Sequence, residues 1–126
     1  MSAKRILIID DEPDIREVAQ MSLETVSGWQ VLTAESGEEG ITKARQEKPD
    51  AILLDAMMPS MDGPATFQKL QADPSTKQIP VIMFTAKVQA ADRKRFADLG
   101  VKDVIGKPFD PMTLGSQIAA ILGWSQ

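Results

Sequence analysis

The sequence predicts a doubly wound α/β fold, with five parallel strands in one sheet and helices on both faces. Short apolar runs alternate five times with longer amphipathic segments, the pattern of βα units that build such a sheet. The runs ILII, AILL and VIMF are continuously apolar, as strands covered on both faces must be. Four runs end on polar residues of different kinds: RILII on Asp10-Asp11, AILL on Asp55, VIMF on Thr85, and VI on Gly106-Lys107-Pro108. Parallel strands carry their C-terminal ends to one edge of the sheet, the edge where open α/β folds keep their sites.

Each element has its own signal. The first strand is Arg5–Ile9 and the first helix Pro13–Val26, where Pro13 suits the first helical turn. The second strand, Gln30–Ala34, is less apolar. The second helix opens on Ser36 and Glu39, a capping-box pair, and stops before Pro49. The third strand is Ala51–Leu54. The third helix follows the turn Met61-Asp62-Gly63 and carries Phe67 and Leu70 on one face. The fourth strand is Val81–Phe84, with Pro80 confined to its start. The fourth helix covers Ala90 to Leu99 and ends at Gly100, suited to a left-handed cap. The fifth strand is Val101–Ile105. The last helix starts at Asp110-Pro111, carries Leu114, Ile118, Ile121 and Leu122 as its apolar stripe, and ends at Gly123. Central placement of strands 1, 3 and 4 gives the order 2-1-3-4-5, with its switch point between strands 1 and 3. Asp10, Asp11 and Asp55 then share a crevice.

Composition narrows the chemistry. A length of 126 residues fits one domain, 1–126, that buries about two-thirds of its unfolded surface. The net charge of −4 argues against non-specific nucleic-acid binding, which needs a basic face. Zero cysteines exclude disulfides and thiolate chemistry, and zero histidines remove the commonest metal ligand and general base. A bound metal must therefore be a hard, oxygen-liganded ion such as Mg²⁺. The apolar run after Lys4-Arg5 is too short for a secretory signal, and no stretch is long enough to span a membrane, so the expected location is cytoplasmic.

Taken singly, each site candidate has an ordinary explanation. Asp10 or Asp11 could cap the first helix, but one Asp suffices for a cap, and adjacent like charges call for a compensating cation. An EF-hand reading of Asp10, Glu12 and Asp14 fails, because Ile15 stands where that loop needs glycine and no glutamate closes it. Asp55 could be a turn residue, Thr85 an ordinary strand end, and Lys107 a solvated surface charge. Together they supply what one phosphoryl-transfer site needs: carboxylates for a cation and a nucleophile, a hydroxyl, and an ammonium.

The chain resembles the receiver domains of two-component response regulators over essentially all of its length. The resemblance rests on ILIIDDEPDIR, ILLDAMMPSMDG, the Thr-Ala after PVIMF, and KPFDP, in matching order and spacing. It implies a flavodoxin-like fold with Asp55 as phosphoacceptor. It implies direct Mg²⁺ ligation by Asp11, Asp55 and the backbone carbonyl of Met57, with Asp10 acting mainly through water. It further implies that Thr85 and Lys107 contact the phosphoryl oxygens, that the Lys107-Pro108 bond is cis, and that the phosphoryl donor is a sensor histidine kinase or a histidine phosphotransfer protein. A chain without histidine cannot hold the donor phosphohistidine itself. Mg²⁺ and Lys107 would offset the repulsion between the carboxylate and an anionic phosphoryl group, while small Ala86 keeps the approach open.

Three positions depart from the family's usual pattern or tune it. Val104 stands where an aromatic residue often reports phosphorylation, which excludes an aromatic switch there. Met57 and Lys87 occupy the positions that tune how water reaches the acyl phosphate, and neither suits orienting an attacking water. Arg93-Lys94-Arg95 is read as a solvated face in preference to a docking patch. Trp124 either covers the last helix or faces a partner.

The expected function is a stand-alone receiver with no output domain, a phosphorylation-dependent switch rather than a turnover enzyme, which signals to an unspecified downstream protein without contacting nucleic acid or membrane. The alternative is an aspartate-nucleophile phosphohydrolase of the haloacid-dehalogenase type. That family uses a second Asp two residues after its nucleophile, where this chain has Met57. A third reading, a binding module that no longer accepts phosphate, ranks last.

Overall fold

The computed structural model describes residues 4–86 and 88–124. The elements run β1 (Arg5–Ile9), α1 (Pro13–Thr25), β2 (Gln30–Ala34), α2 (Gly37–Glu47), β3 (Ala51–Asp55), α3 (Gly63–Ala72), β4 (Val81–Thr85), α4 (Ala90–Leu99), β5 (Asp103–Gly106) and α5 (Leu114–Leu122). All four strand pairings are parallel, in the order β2-β1-β3-β4-β5. The doubly wound fold and the strand order expected from the sequence are therefore borne out.

Side-chain alternation along the strands divides the interior into two layers. Leu7, Ile9, Ile52, Leu54, Val81, Met83 and Val104 face α2, α3 and α4, where Ile41, Ala44, Phe67, Leu70 and Phe96 meet them. Ile6, Ile8, Leu53, Ile82, Phe84 and Ile105 face α1 and α5, against Ala19, Leu23, Leu114 and Ile118. Strands β1, β3 and β4 are buried over nearly their whole length, because both of their faces are covered.

Two of the helix starts that border the sheet edge, those of α2 and α3, are capped by side chains. Ser36 Oγ accepts the amide of Glu39, and Glu39 Oε1 reaches back to the amide of Glu35, one residue earlier than the usual box partner. Asp62 Oδ1 accepts the amide of Ala65 at 2.9 Å, and Pro64 occupies the first turn of α3. Gly100 (φ 113°) and Gly123 (φ 72°) close α4 and α5 in the left-handed region.

The first helix stops at Thr25 rather than Val26, strands β3, β4 and β5 run one residue further, to Asp55, Thr85 and Gly106, and two expected starts are corrected. The fifth strand begins at Asp103 rather than Val101. Val101 instead belongs to the end of α4, where its amide bonds to the carbonyl of Phe96. The last helix begins at Leu114 rather than Asp110. Asp110 folds a turn first: its Oδ1 accepts the amide of Met112, and its carbonyl takes the amides of Thr113 and Leu114. The Pro111 carbonyl lies outside the helix and accepts Ser22 Oγ of α1.

Trp124 packs edge-on against Trp29 at 5.5 Å between ring centroids, and the ammonium of Lys4 lies 4.6 Å from its ring. It thus lies against the α1/α5 side of the core. The basic run of α4 is paired with acids: Arg93 with Asp103 of β5, and Lys94 with Asp98 and Arg95 with Asp92 along the helix itself.

Candidate functional site

The C-terminal ends of β1 and β3 lie side by side, Ile9 beside Leu54. Each chain there passes from a fully apolar strand into carboxylates. Asp10 is fully buried and Asp55 is 3% exposed, while Asp11 is half-buried. Carboxylate oxygens of Asp10, Asp11 and Asp55 lie within 4.8 Å of one another. Three acids this close repel one another unless cations intervene.

One cation is supplied by the chain. Lys107 leaves the end of β5, and its ammonium contacts Asp10 Oδ2 at 2.7 Å, Asp55 Oδ1 at 3.5 Å and Glu12 Oε1 at 3.6 Å. The Phe84 ring lies 5.0 Å from the same nitrogen. The amide of Lys107 bonds the carbonyl of Thr85 at 2.9 Å, and the Lys107-Pro108 bond is cis. Burial pulls the Lys107 ammonium toward deprotonation, but its hydrogen bond to Asp10 and the charges of Asp10, Asp55 and Glu12 outweigh this, and its pKa is raised overall.

Asp55 is fixed at the end of β3. Its Oδ1 accepts the amide of Met57 at 3.1 Å. Burial, followed by the nearby charge of Asp10, lifts its carboxyl to about 7, against the pull of the Met57 amide and Lys107. In the metal-free protein this carboxyl keeps its proton at pH values where the unfolded chain has lost it. Stability should then fall as pH rises from about 4 to about 7, by at most ~1.4 kcal/mol per pH unit, and level off above. Urea unfolding in EDTA at pH 5 and pH 8 checks this, and Asp55→Asn should remove that part of the slope.

A divalent cation fits this donor set. All three side chains offer hard oxygen ligands, the acids outnumber the one contacting ammonium, and the chain has neither histidine nor cysteine to add a softer nitrogen or thiolate donor.

The remaining expected residues lie around this centre. Thr85 ends β4, is 2% exposed, and pairs with Gly106. Ala86 is exposed next to it, and Lys87 lies outside the described residues. Met57 is 60% exposed at the mouth, directly after Ala56. Val104 is buried away from the crevice, in the layer that contains Phe96.

Sequence reasoning missed three supports. Glu12 adds a third acid to Lys107. Ser22 ties α1 to the loop after Lys107 through the Pro111 carbonyl. Arg16 of α1 donates to the carbonyl of Asp10 at 2.7 Å. Glu12 entered the sequence reading only in the rejected EF-hand pattern, and nothing local marks Arg16 as a partner of a strand-end carbonyl.

Comparisons with known proteins agree with this geometry. Residues 6–119 match the model of the response regulator receiver domain family. Protein PilH of Pseudomonas aeruginosa is 42% identical over 118 residues, which span 94% of this chain and 97% of PilH. The Bacillus subtilis regulator PhoP, named for alkaline phosphatase synthesis, is 40% identical over 98% of this chain but only 50% of its own length. The chain likewise spans about half the length of the other transcriptional regulators it matches, such as the Guillardia theta ycf27 protein. Among solved structures, the receiver domain of the Pseudomonas aeruginosa sensor histidine kinase PA1611, which has a magnesium ion coordinated in its active-site cleft, superposes with a TM-score of 0.85 at 26% identity, covering 97% of this chain and 99% of that one. These matches give no support to the haloacid-dehalogenase alternative. With the family model spanning nearly the whole sheet and its edge, the chain belongs to the response regulator receiver domains of two-component signalling.

Proposed function

We propose that this receiver takes a phosphoryl group on Asp55 from a sensor histidine kinase or a histidine phosphotransfer protein, and signals by a changed protein-binding surface. The observation that carries this reading is the convergence of Asp10, Asp11, Asp55 and Lys107 in one crevice.

A carboxylate oxygen of Asp55 attacks phosphorus as the bond from phosphorus to the donor imidazole breaks, and the electron pair of that bond leaves with the nitrogen. Lys107 moves from Asp10 and Asp55 onto a phosphoryl oxygen, within the reach that its present contacts define. The Thr85 hydroxyl takes another oxygen, and small Ala86 leaves the approach open. Bound by Asp11, Asp55 and the carbonyl of Met57, with Asp10 beyond them, Mg²⁺ would neutralise the acids and the charge on the transferred group. As Thr85 moves inward, the segment that follows it and α4 shift with it. Met57, Lys87 and Val104 are assigned to the lifetime and output of the phosphorylated state. Val104, lacking an aromatic ring, leaves α4 displacement as the main signal.

No helix among the described residues is long and apolar enough to cross a membrane. With the acidic net charge, this supports a cytoplasmic protein that contacts neither membrane nor nucleic acid directly.

Incubation with acetyl phosphate and Mg²⁺ tests the reading. One phosphoryl group per chain should appear, with no continuing turnover of a phosphoester such as p-nitrophenyl phosphate. Steady phosphoester turnover would favour a hydrolase instead. Millimolar Mg²⁺ should also raise the melting temperature, because binding to the native state stabilises it by about 2.7 kcal/mol at one hundred times Kd. Asp11→Asn should shrink that shift while raising the metal-free melting temperature. Thermal melts with EDTA and with Mg²⁺ measure both.

A further inference from the structure

We infer that Arg16 is a positioning residue that sets the direction of the acidic pair, an inference that rests on reading Asp10, Asp11 and Asp55 as a divalent-cation site. Asp10 is held at four points. Its amide bonds the Ala34 carbonyl at 3.0 Å, its Oδ1 accepts the Glu12 amide at 2.9 Å, and its Oδ2 accepts Lys107. The fourth point is its carbonyl, which accepts Nη1 of Arg16 at 2.7 Å.

That carbonyl belongs to the peptide joining Asp10 to Asp11. By fixing the plane of this peptide, the guanidinium fixes the direction in which Asp11 leaves the strand and presents its carboxylate to Asp55. The clamp is itself anchored. Arg16 is only 18% exposed, and its Nη2 lies 3.7 Å from Glu35 Oε2, in the turn between β2 and α2. The turn is stiffened by the bond from the Glu35 amide to Glu39. One planar side chain thus ties the loop after β1 to the loop after β2. Lysine, with a single ammonium, cannot engage both points in the same fixed geometry.

Charge and position make opposite demands on a cation. A guanidinium close to the acids repels Mg²⁺, so if charge were its whole effect, removing it would tighten binding. If it aims the ligands, removing it weakens binding, and outer partners of metal ligands characteristically cost about 10–100-fold in affinity when lost. The sign of the change therefore separates the two effects.

The test is isothermal titration calorimetry of Mg²⁺ into wild type, Arg16→Ala and Arg16→Lys, with the melting temperature of each in EDTA as a control of the fold. Arg16→Ala should weaken Mg²⁺ binding about tenfold or more. Arg16→Lys should weaken it less, but measurably, although its charge is unchanged. A purely structural role would lower the melting temperature in EDTA and leave the affinity where it was. That result, or tighter binding by Arg16→Ala, would overturn the assignment. Should Arg16→Ala fail to fold, the lysine variant decides, and wild-type affinity in it overturns the assignment. Absence of Mg²⁺ binding in the wild type would overturn the cation-site reading as well, whereas wild-type binding that neither variant alters overturns only the role of Arg16.

Discussion

Asp55→Asn should accept no phosphoryl group from acetyl phosphate and Mg²⁺ under conditions that label the wild type to one per chain, and it should be the more stable protein above pH 7. Both effects have one origin. The Asp55 carboxylate, the proposed acceptor, is buried beside Asp10 with a single ammonium partly compensating it, and burial raises its pKa to about 7. Loss of the proton at neutral pH therefore costs the native state free energy that the unfolded chain does not lose. The amide keeps the shape and removes the charge, so the nucleophile disappears and the electrostatic cost with it. Intact-mass measurement reads the first effect and urea unfolding at pH 8 in EDTA the second. A residue kept for packing alone would show neither the loss of labelling nor the gain in stability.

Gly63→Ala should be the most damaging single methyl in the chain. A Cβ at this position would stand 2.6 Å from the Ala56 Cα and 2.6 Å from the carbonyl oxygen of Asp55. Both atoms are backbone and cannot rotate away. The glycine amide also bonds the Ala56 carbonyl at 3.0 Å, so α3 starts in direct contact with the end of β3. Only a residue without a side chain permits that approach. Relief requires α3 or the end of β3 to move, at a cost of about 3 kcal/mol or more, the upper part of the overpacking range. The end of β3 carries Asp55, the proposed acceptor, so the phosphorylation rate should fall even where the variant is still folded. Urea unfolding gives the stability loss, and the labelling rate in the folded range gives the displacement of Asp55. Gly28, whose Cβ would meet nothing within 4 Å but whose φ is 70°, is the contrasting case: there alanine is strained by backbone conformation alone.

The strand order was legible because the central strands are buried on both faces and the edge strand β2 is not. Leu7 and Ile8 point to opposite layers and are equally buried, and that double covering is what a continuous apolar run encodes. The two misplaced element starts share a cause. Val101 is apolar because it packs behind the cap of α4, and Asp110-Pro111 matches a helix start although the Pro111 carbonyl is taken by Ser22 from another element. Local pattern is silent about such tertiary partners.

The charged residues of the candidate site were legible for a related reason. Asp10, Asp11, Asp55 and Lys107 each interrupt or follow an apolar run at a strand end, where parallel topology forces them together. Arg16 and Ser22 were not, because both act on backbone carbonyls, and a carbonyl leaves no trace in the identity of the residue that carries it. Glu12 figured in the sequence only in a failed EF-hand pattern, and its contact with Lys107 depends on how β5 ends beside β4.

Chemical mapping of the acceptor tests the central claim most directly. Borohydride reduces an acyl phosphate to the alcohol, so wild-type protein labelled with acetyl phosphate and Mg²⁺, then reduced and digested, should carry homoserine at position 55 and at no other aspartate. Homoserine at Asp10 or Asp11, or a stable phosphoryl group that survives reduction on a hydroxyl such as Thr85, would contradict it.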